Sequence, residues 1–522
     1  MVATCSEGSL RSYEVIVIKG QTSSSSWPSH KPRQSELLIV QKNSFSTRSD
    51  VPIAISMAVL VIIALSLRIY VSVFWPNIFH PDEIFQTLEP AHRLAYGYGI
   101  VTWEWRRGAR SWVVPSFLAL AMRTTGWLSK GSTGYLISID AFLATLSLSS
   151  VWFAFMWAKR ASGTMTAVIA AFASSVCFEL VYFSSKALTE VIATSFLLPG
   201  LYLGVYGSNT REKSRLFLAA LFCSISISLR LQLAPAAIVA VAYFCYPEWR
   251  RRLPSVIAGF SLPILSVGIV DAITWGYPWH SFIDYVRANI IDNRSLNYGT
   301  QPWYWYLLML FPLLGPAVLF TSQGAERSSF LALICLVILG SHCVIAHKEI
   351  RFLYPLFPLA ITLSAIGAVE AIPRGLTIVG LPNTPRAVIT VALSFFLASS
   401  LCSLSVFANR FRAPGAVLAF DTLSREDHLC GVMLYRVDWW QTGGYAHLHR
   451  NVPTILIWDK NRLSQELNSA NAVVMPSLEE RLPSPFTIKK CWNGVCLWQR
   501  PGVCAKPAIE DTLNEILKAT GN

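Results

Sequence analysis

Two adjacent carboxylates, Asp82 and Glu83, stand in the stretch His80-Pro81-Asp82-Glu83 that follows a long apolar run, with Gln86 and Glu89 close behind. Carboxylates at the mouth of a membrane-length segment are costly to bury and are ready proton acceptors. Four more polar groups recur along the chain. Residues 96–112 interleave Trp103, Glu104, Trp105, Arg106, Arg107 and Arg110. FSSKALTE supplies Lys186, Thr189 and Glu190, and SLRLQLAP supplies Arg230 and Gln232. HKEIRFLYPLFP opens with His347, Lys348, Glu349 and Arg351. A carboxylate can take the proton of an attacking hydroxyl, and cations can receive a departing phosphate. Aromatic rings stack on sugar faces while Arg clamps phosphate. Together these residue types fit sugar transfer from a phosphate-linked donor.

Each group also has a plainer reading. Asp82 and Glu83 could cap or turn the chain at the end of a span. The Trp-rich stretch could be an interfacial aromatic belt. Lys186 and Glu190 stand at the (i, i+4) spacing of a helical ion pair. The 347–351 group could be an internal salt-bridge cluster. Arg230 is harder to explain as an anchor, because it lies on the side without the positive bias described below. Loop 276–302, with Trp279, His280, Tyr285, Asn289, Asn293, Asn297 and Tyr298, suits sugar hydroxyls or a packed lid. Asn293-Arg294-Ser295 fits the N-glycosylation sequon. His80 is a single imidazole beside carboxylates, which does not make a metal site, and no metal or cofactor is expected.

The elements that must position these groups are membrane spans. Of 522 residues, 53% are hydrophobic and only 14% charged, against roughly 25% charged in soluble domains. This is the composition of a polytopic membrane protein. About eleven helical spans are predicted, at 52–75, 135–158, 164–183, 191–207, 214–229, 233–246, 255–275, 303–321, 328–346, 352–372 and 387–408. Segment 113–129 is apolar but interrupted by Arg123. If it lies in the interface, then Lys159 and Arg160, Arg211 to Arg215, Arg250 to Arg252, Arg327, and Arg374 with Arg386 all fall on the N-terminal, cytoplasmic side. The net charge of +13 is thereby explained by membrane anchoring rather than nucleic acid. The polar groups then collect on the outer face.

Residues 1–50 are Ser-rich without persistent period and are expected to be a disordered cytoplasmic N-terminus. Residues 51–408 form the membrane catalytic domain. Residues 409–522 alternate apolar strands (GVMLY, TILIW, AVVMP) with polar loops, as in a small α/β unit outside the membrane. Asp438, Trp439, Trp440, Tyr445, His447 and His449 would meet a headgroup there or dock the unit on the bundle. Cys491 and Cys496 do not have zinc-ribbon spacing, and a disulfide is preferred over a metal. No Gly-rich nucleotide fingerprint accompanies the strands.

Residues 80–112, SSKALTE, LRLQLAP and HKEIRFLYPLFPL resemble the family 22 mannosyltransferases, which share the GT-C membrane fold; HPDE with TWEW and RSW is most similar to the glycosylphosphatidylinositol (GPI) mannosyltransferase 3 branch. The resemblance implies a GT-C-like helical bundle and inverting transfer of mannose from a polyprenyl (dolichyl) phosphate mannose to a lipid-linked glycan, as in the α-1,2-linked third mannose of a GPI precursor. It implies Asp82 as base with Glu83 as support or substitute. Arg230, His347, Lys348 and Arg351 would hold the donor phosphate. His80, Gln86, Trp103, Glu104, Trp105, Arg110, Lys186 and Gln232 would line the substrates. The site would face the lumen of the endoplasmic reticulum, or the outside of a bacterial inner membrane. SSKALTE lacks the Asn frequent in the family, and the tail around GVMLYRVDWWQTGGYAHLHRNVP departs from the branch. A bacterial envelope sugar transferase with another lipid donor or acceptor is therefore the alternative. A lipid transporter is a third, though no internal repeat supports one.

Overall fold

The computed structural model describes residues 50–521 except 76, 207–210, 412–413 and 480. The expected disorder of 1–50 therefore lies outside the described residues but for Asp50. The chain divides into two units, Met1–Ile55 and Ser56–Asn522, and the features below belong to the second.

Seven helices are long and apolar enough to cross a membrane: Ala54–Phe74, Thr133–Ser162, Thr189–Tyr206, Trp249–Trp275, Trp305–Arg327, Leu356–Ile378 and Pro385–Arg410. Thr164–Val176, Leu231–Cys245 and Ser329–Val344 are shorter apolar helices. Glu212–Leu229 opens with Glu212, Lys213 and Arg215. The eleven expected spans are thus all helical, but four are too short or too polar to cross by themselves. The chain is a multi-pass membrane protein. Helix Val113–Thr125 has 13 residues, about 20 Å at ~1.5 Å each, well short of a ~30 Å hydrocarbon core. It buries Leu118, Ala119 and Met122, and exposes Phe117, Leu120 and Arg123.

Leu356–Ile378 is the bundle's central helix, apolar all round and 78% buried over its most apolar window. A Cβ on Gly367 would fall 2.0 Å from the Phe320 carbonyl oxygen, and one on Gly324 2.0 Å from that of Leu363. Only glycine permits that backbone approach. Arg68 lies fully buried within the first span. It donates to the Ser147 hydroxyl at 3.0 Å and the Ala64 carbonyl at 3.1 Å. Ser147 sits at the break between Thr133–Leu146 and Ser149–Ser162, so the arginine's donors are used where helical backbone is interrupted.

The cation-bearing loops are tied together at one end of the bundle. Arg252 pairs with Glu212 at 2.8 Å, the Trp157 indole donates to Ser328 at 3.1 Å, and Tyr243 packs on Phe330 at 4.3 Å. The catalytic-type residues described below gather elsewhere, as the alternation of loops predicts.

The C-terminal segment builds a five-stranded sheet of order β2-β1-β3-β5-β4. Strands β1 (Val432–Tyr435), β2 (Thr454–Ile457) and β3 (Ala472–Pro476) are the three apolar runs and pair in parallel. Strands β4 (Thr487–Trp492) and β5 (Val495–Gln499) form an antiparallel hairpin. Its two-residue turn is Asn493-Gly494, both at positive φ, the residues such a turn demands. Cys491–Cys496 closes that hairpin, and Cys430–Cys504 ties the tail to the edge of β1.

One face of the sheet shares a core with the membrane half: Val432, Leu434 and Val474 pack with Phe85, Leu88 and Tyr135. Glu89, fully buried, accepts the backbone N–H of Ile100 at 2.6 Å and of Ala446 at 2.8 Å. His92 and His449 share a hydrogen bond at 3.0 Å. The Tyr445–His449 stretch therefore docks the sheet on the segment that follows the first span, and of the two roles open to it this is the one these contacts serve.

Candidate active site

Pro81 and the end of the first span turn the chain into a buried π-helical turn, Glu83–Leu88, followed by helix Glu89–Tyr96. π-turns recur at functional sites because the extra residue re-aims side chains. Here neighbouring carboxylates diverge. Asp82 Oδ2 accepts a hydrogen bond from Arg351 Nη2, and its Oδ1 lies 3.4 Å from His80 Nδ1. Glu83 points elsewhere: its Oε1 accepts the Phe79 N–H at 3.0 Å and lies 3.8 Å from Lys186 Nζ. The two do not act on one atom.

Arg351 is the hub. It is 2% exposed and donates from Nε to Glu349 Oε2 at 2.6 Å. Its Nη1 lies 3.5 Å from Glu190 Oε1, which is also 3.0 Å from Arg230 Nη2. Arg230 Nε donates to Gln232 at 3.0 Å. Both guanidiniums flank the Phe352 ring, 5.0 and 5.1 Å from its centroid. Glu349 is held by Arg351, by His347 Nε2 at 2.8 Å and by His80 Nε2 at 3.3 Å. The Tyr306 hydroxyl donates to the Glu349 carbonyl at 2.9 Å and accepts its N–H at 3.0 Å. Segments around Asp82, Glu190, Arg230 and Glu349, distant in sequence, thus meet around Arg351.

The Lys186–Glu190 pair offered as the plainer reading does not form. Residues 184–188 are not helical, so the (i, i+4) spacing has no helix to act on. Lys186 turns to Asn77 Oδ1 at 2.7 Å, which leaves Glu190 to the two arginines. Lys348 caps the Ile345 carbonyl and stands over Tyr306 at 5.8 Å.

Above Asp82, Glu104 Oε1 accepts from Arg110 at 2.7 Å and from Gln86 at 3.3 Å. The Trp103 indole donates to the Tyr298 hydroxyl at 3.1 Å. Trp105 lies beneath: 3% exposed, its N–H bound to the Phe85 carbonyl at 2.9 Å and its ring 4.6 Å from Trp112. Loop 276–302 closes over this floor. Arg107 holds Asp284 at 2.9 Å and Asp292 at 2.8 Å, and Arg110 stands over Tyr285. A cavity lined by Gln86, Arg110, Thr189, Arg230, Ser281 and Tyr285 opens between the loop and the arginines.

The electrostatics follow from burial and pairing. Burial raises the Asp82 carboxyl, but Arg351 and His80 outweigh it and hold the group well below the usual carboxylate range. Burial acts likewise on Glu349, where Arg351 and His347 bring the value down to about 2. The bond to Glu349 raises His347. Glu83 is raised by its burial, against the opposing pull of Lys186 and the Phe79 N–H. Asp82 is therefore an ionised, partly exposed acceptor, while Glu83 is a buried group at the edge of another cavity. Among the described residues no cluster of three or more His, Cys, Asp or Glu is arranged to hold a metal.

Several participants were not singled out in sequence: Glu89 as a docking carboxylate, Tyr306 as the brace of Glu349, and Asp140 within a span. An acidic residue inside an apolar run, as Asp140 is, was the available signal.

A bundle of membrane helices carrying a carboxylate–guanidinium site and a sheet docked at one end is the architecture of GT-C glycosyltransferases. The crystal structure of ArnT from Cupriavidus metallidurans bound to undecaprenyl phosphate superposes with a TM-score of 0.56 at 11% identity, over 89% of this chain and 100% of that one. That likeness establishes the fold. Residues 59–449 match the Alg9-like mannosyltransferase family, and the chain belongs to it. It is a mannosyltransferase, and the transporter reading gives way. Among its relatives, the GPI mannosyltransferase 3 of Yarrowia lipolytica is 27% identical over 76% of either chain. Mannosyltransferase APTG1 of Arabidopsis thaliana is 25% identical over 74% of this chain and 75% of its own. The GPI alpha-1,2-mannosyltransferase 3 of Mus musculus is 29% identical over 57% of this chain and 56% of its own.

Proposed function

We propose that this protein transfers mannose, with inversion, from dolichyl phosphate mannose to a GPI precursor, adding its α-1,2-linked third mannose at the lumenal face of the endoplasmic reticulum membrane. The observation that carries the mechanism is the Asp82 carboxylate, ionised between His80 and Arg351 and partly open to solvent. Asp82 takes the proton of the acceptor hydroxyl as that oxygen attacks C1 of mannose. The C1–phosphate bond breaks on the opposite side, and its electron pair leaves with the phosphate. General-base assistance of this kind contributes about 10²–10⁴-fold.

Roles divide by what each side chain already holds. Arg351 is hydrogen-bonded to Asp82 and Glu349 and lies 3.5 Å from Glu190, so it positions the base. Arg230 lines the cavity beside the loop and, with His347, is the cation set for the departing phosphate. Gln86, Glu104, Arg110, Trp103 and Tyr298 form the sugar-facing floor. Residues 51–408 act as the catalytic membrane domain, and 409–522 as a lumenal domain docked on its first outer loop. The relatives of Yarrowia lipolytica and Mus musculus support the acceptor class by their names, and the HPDE, TWEW and RSW motifs within residues 80–112 support it by resemblance.

The test is transfer of labelled mannose from dolichyl phosphate mannose to defined GPI intermediates by purified wild type and Asp82→Asn. Wild type should elongate the two-mannose intermediate, and the variant should lose at least about 100-fold. Near wild-type turnover in Asp82→Asn would remove the base. Transfer to a different lipid glycan alone would move the acceptor assignment.

A further inference from the structure

Behind the Asp82 cluster lies a second cavity that no step above uses. It runs between spans Ala54–Phe74 and Thr133–Ser162, and Glu83, Asp140, Lys186, Asp421 and His447 line it. Its rim is apolar and open: Val73, Trp75 and Ile137 line the same space and are 40%, 44% and 44% exposed. Between two membrane helices such a rim faces acyl chains rather than water.

The polar floor is short of donors. Glu83 is 3% exposed, and its Oε2 has no hydrogen-bond partner. A buried acceptor left that way costs about 1–3 kcal/mol. Asp140, carried within a membrane helix, accepts the Ser72 hydroxyl at 2.6 Å. Lys186 and Arg425, which also line the cavity, do not remedy this: Lys186 lies 3.8 Å from Glu83 Oε1 but donates to the Oδ1 and carbonyl of Asn77, and Arg425 donates to the Thr133 hydroxyl at 2.9 Å. Asp421 is matched by His447 at 2.8 Å. Two carboxylates therefore face one lipid-accessible space with acceptor capacity unused, and a charged group inside a span marks a functional site by default.

We propose that this cavity is a second binding site, in which Glu83 and Asp140 take a primary ammonium on the headgroup of a lipid whose chains leave past Trp75 and Ile137. An ammonium brings three donors and a positive charge to two acceptor-only groups. Where the inference says that this lipid is the acceptor, it rests on the transfer reading above; the binding itself does not. Two headgroup chemistries carry such an ammonium beside a lipid phosphate: an amino sugar and an ethanolamine phosphate.

The experiment is equilibrium binding to the full chain in detergent, without turnover. The probes are short-chain glucosaminyl phosphatidylinositol and its N-acetyl form, and short-chain phosphatidylethanolamine and its N-acetyl form. Wild type should bind the free amine at least about tenfold more tightly in one pair, about 1.4 kcal/mol, and the pair that discriminates names the source. Asp140→Asn should reduce that ratio below about threefold while leaving dolichyl phosphate binding unchanged. Ser72→Ala, which keeps the carboxylate, should retain it. Equal binding within both pairs by wild type would overturn the proposal even if Asp140→Asn does not fold. An undiminished ratio in a folded Asp140→Asn would do the same. If amine-dependent binding holds but no lipid is mannosylated, the transfer reading fails and this site stands.

Discussion

Replacing Arg351 by Gln should move the acid limb of the reaction upward. Asp82 and Arg351 are in direct contact, and the Asp82 side chain is 24% exposed while that of Arg351 is 2% exposed. Charges about 4 Å apart attract by about 1 kcal/mol in water and about 4 kcal/mol at the effective dielectric of a protein surface. The partial exposure sets the pair between those limits, which corresponds to about 1–3 pH units. Wild type should show no acid limb in kcat/KM down to about pH 5, because Asp82 stays ionised. Arg351→Gln should bring a limb into the range of about pH 5–7, since burial then acts on Asp82 with only His80 and the more distant Arg110 opposing. Arg351→Lys keeps a cation and should hold the limb low. The assay is labelled-mannose transfer from pH 4.5 to 9, with thermal unfolding in parallel. That control matters because Glu190 and Glu349 also lose a partner, and breaking a buried pair costs about 3–5 kcal/mol. A folded, active Arg351→Gln with the wild-type limb would refute Arg351 as the group that keeps Asp82 ionised, and Asp82 as the base that titrates.

Three further outcomes are expected. Glu349, brought from 4.5 to about 2, stabilises the fold above its unfolded pKa and loses that contribution as pH falls from about 4.5 toward 2; Glu349→Gln should cost about 3 kcal/mol near neutrality and progressively less in acid, read by denaturation at several pH values. Gly444→Ala should loosen the C-terminal sheet, because φ is +61° there and the new Cβ would stand 2.5 Å from Glu89 Oε2; a loss of about 2 kcal/mol or more should appear as a lower Tm and faster proteolysis after residue 411, and an unchanged Tm would refute the docking role of Glu89. Asn293 is exposed in the loop that covers the site, so a lumenal site predicts a glycosidase-sensitive gel shift in microsomes that Asn293→Gln removes.

The fold was legible because its signal is carried by long stretches. Every predicted span is helical, and the three apolar runs of the tail are the three parallel strands. Span count was less legible: a 16-residue helix such as Ser329–Val344 is as apolar as a longer one that crosses lipid, and composition does not separate them. The β4–β5 hairpin was written in Asn493-Gly494 and went unread among charged neighbours. In the site, residue types marked the right segments but not their partners. Lys186 and Glu190 look like a helical pair until the backbone before Thr189 is seen not to be helical. Glu190 belongs instead to arginines 40 and 161 positions away, and no local pattern encodes those contacts. Trp105 reads as a sugar platform beside Trp103, yet it is one residue-pair deeper and serves as packing.

The divergence of Asp82 and Glu83 bears on why two carboxylates stand side by side at all. Were both aimed at one hydroxyl, mutual repulsion would raise one of them and leave it protonated near neutrality. The π-turn avoids this by sending Asp82 to a guanidinium and Glu83 beneath the turn, to the cavity shared with Asp140. The turn is then a wall between two spaces, with Gln86 and Thr87 lining the cavity on the arginine side and Glu83, Ile84 and Leu88 lining the other. A transfer between two lipid-anchored partners requires this separation, since each lipid must reach the reacting atoms from its own gap between helices. Asp82 immediately precedes that wall in the chain, and in the proposed transfer the acceptor sugar meets it there.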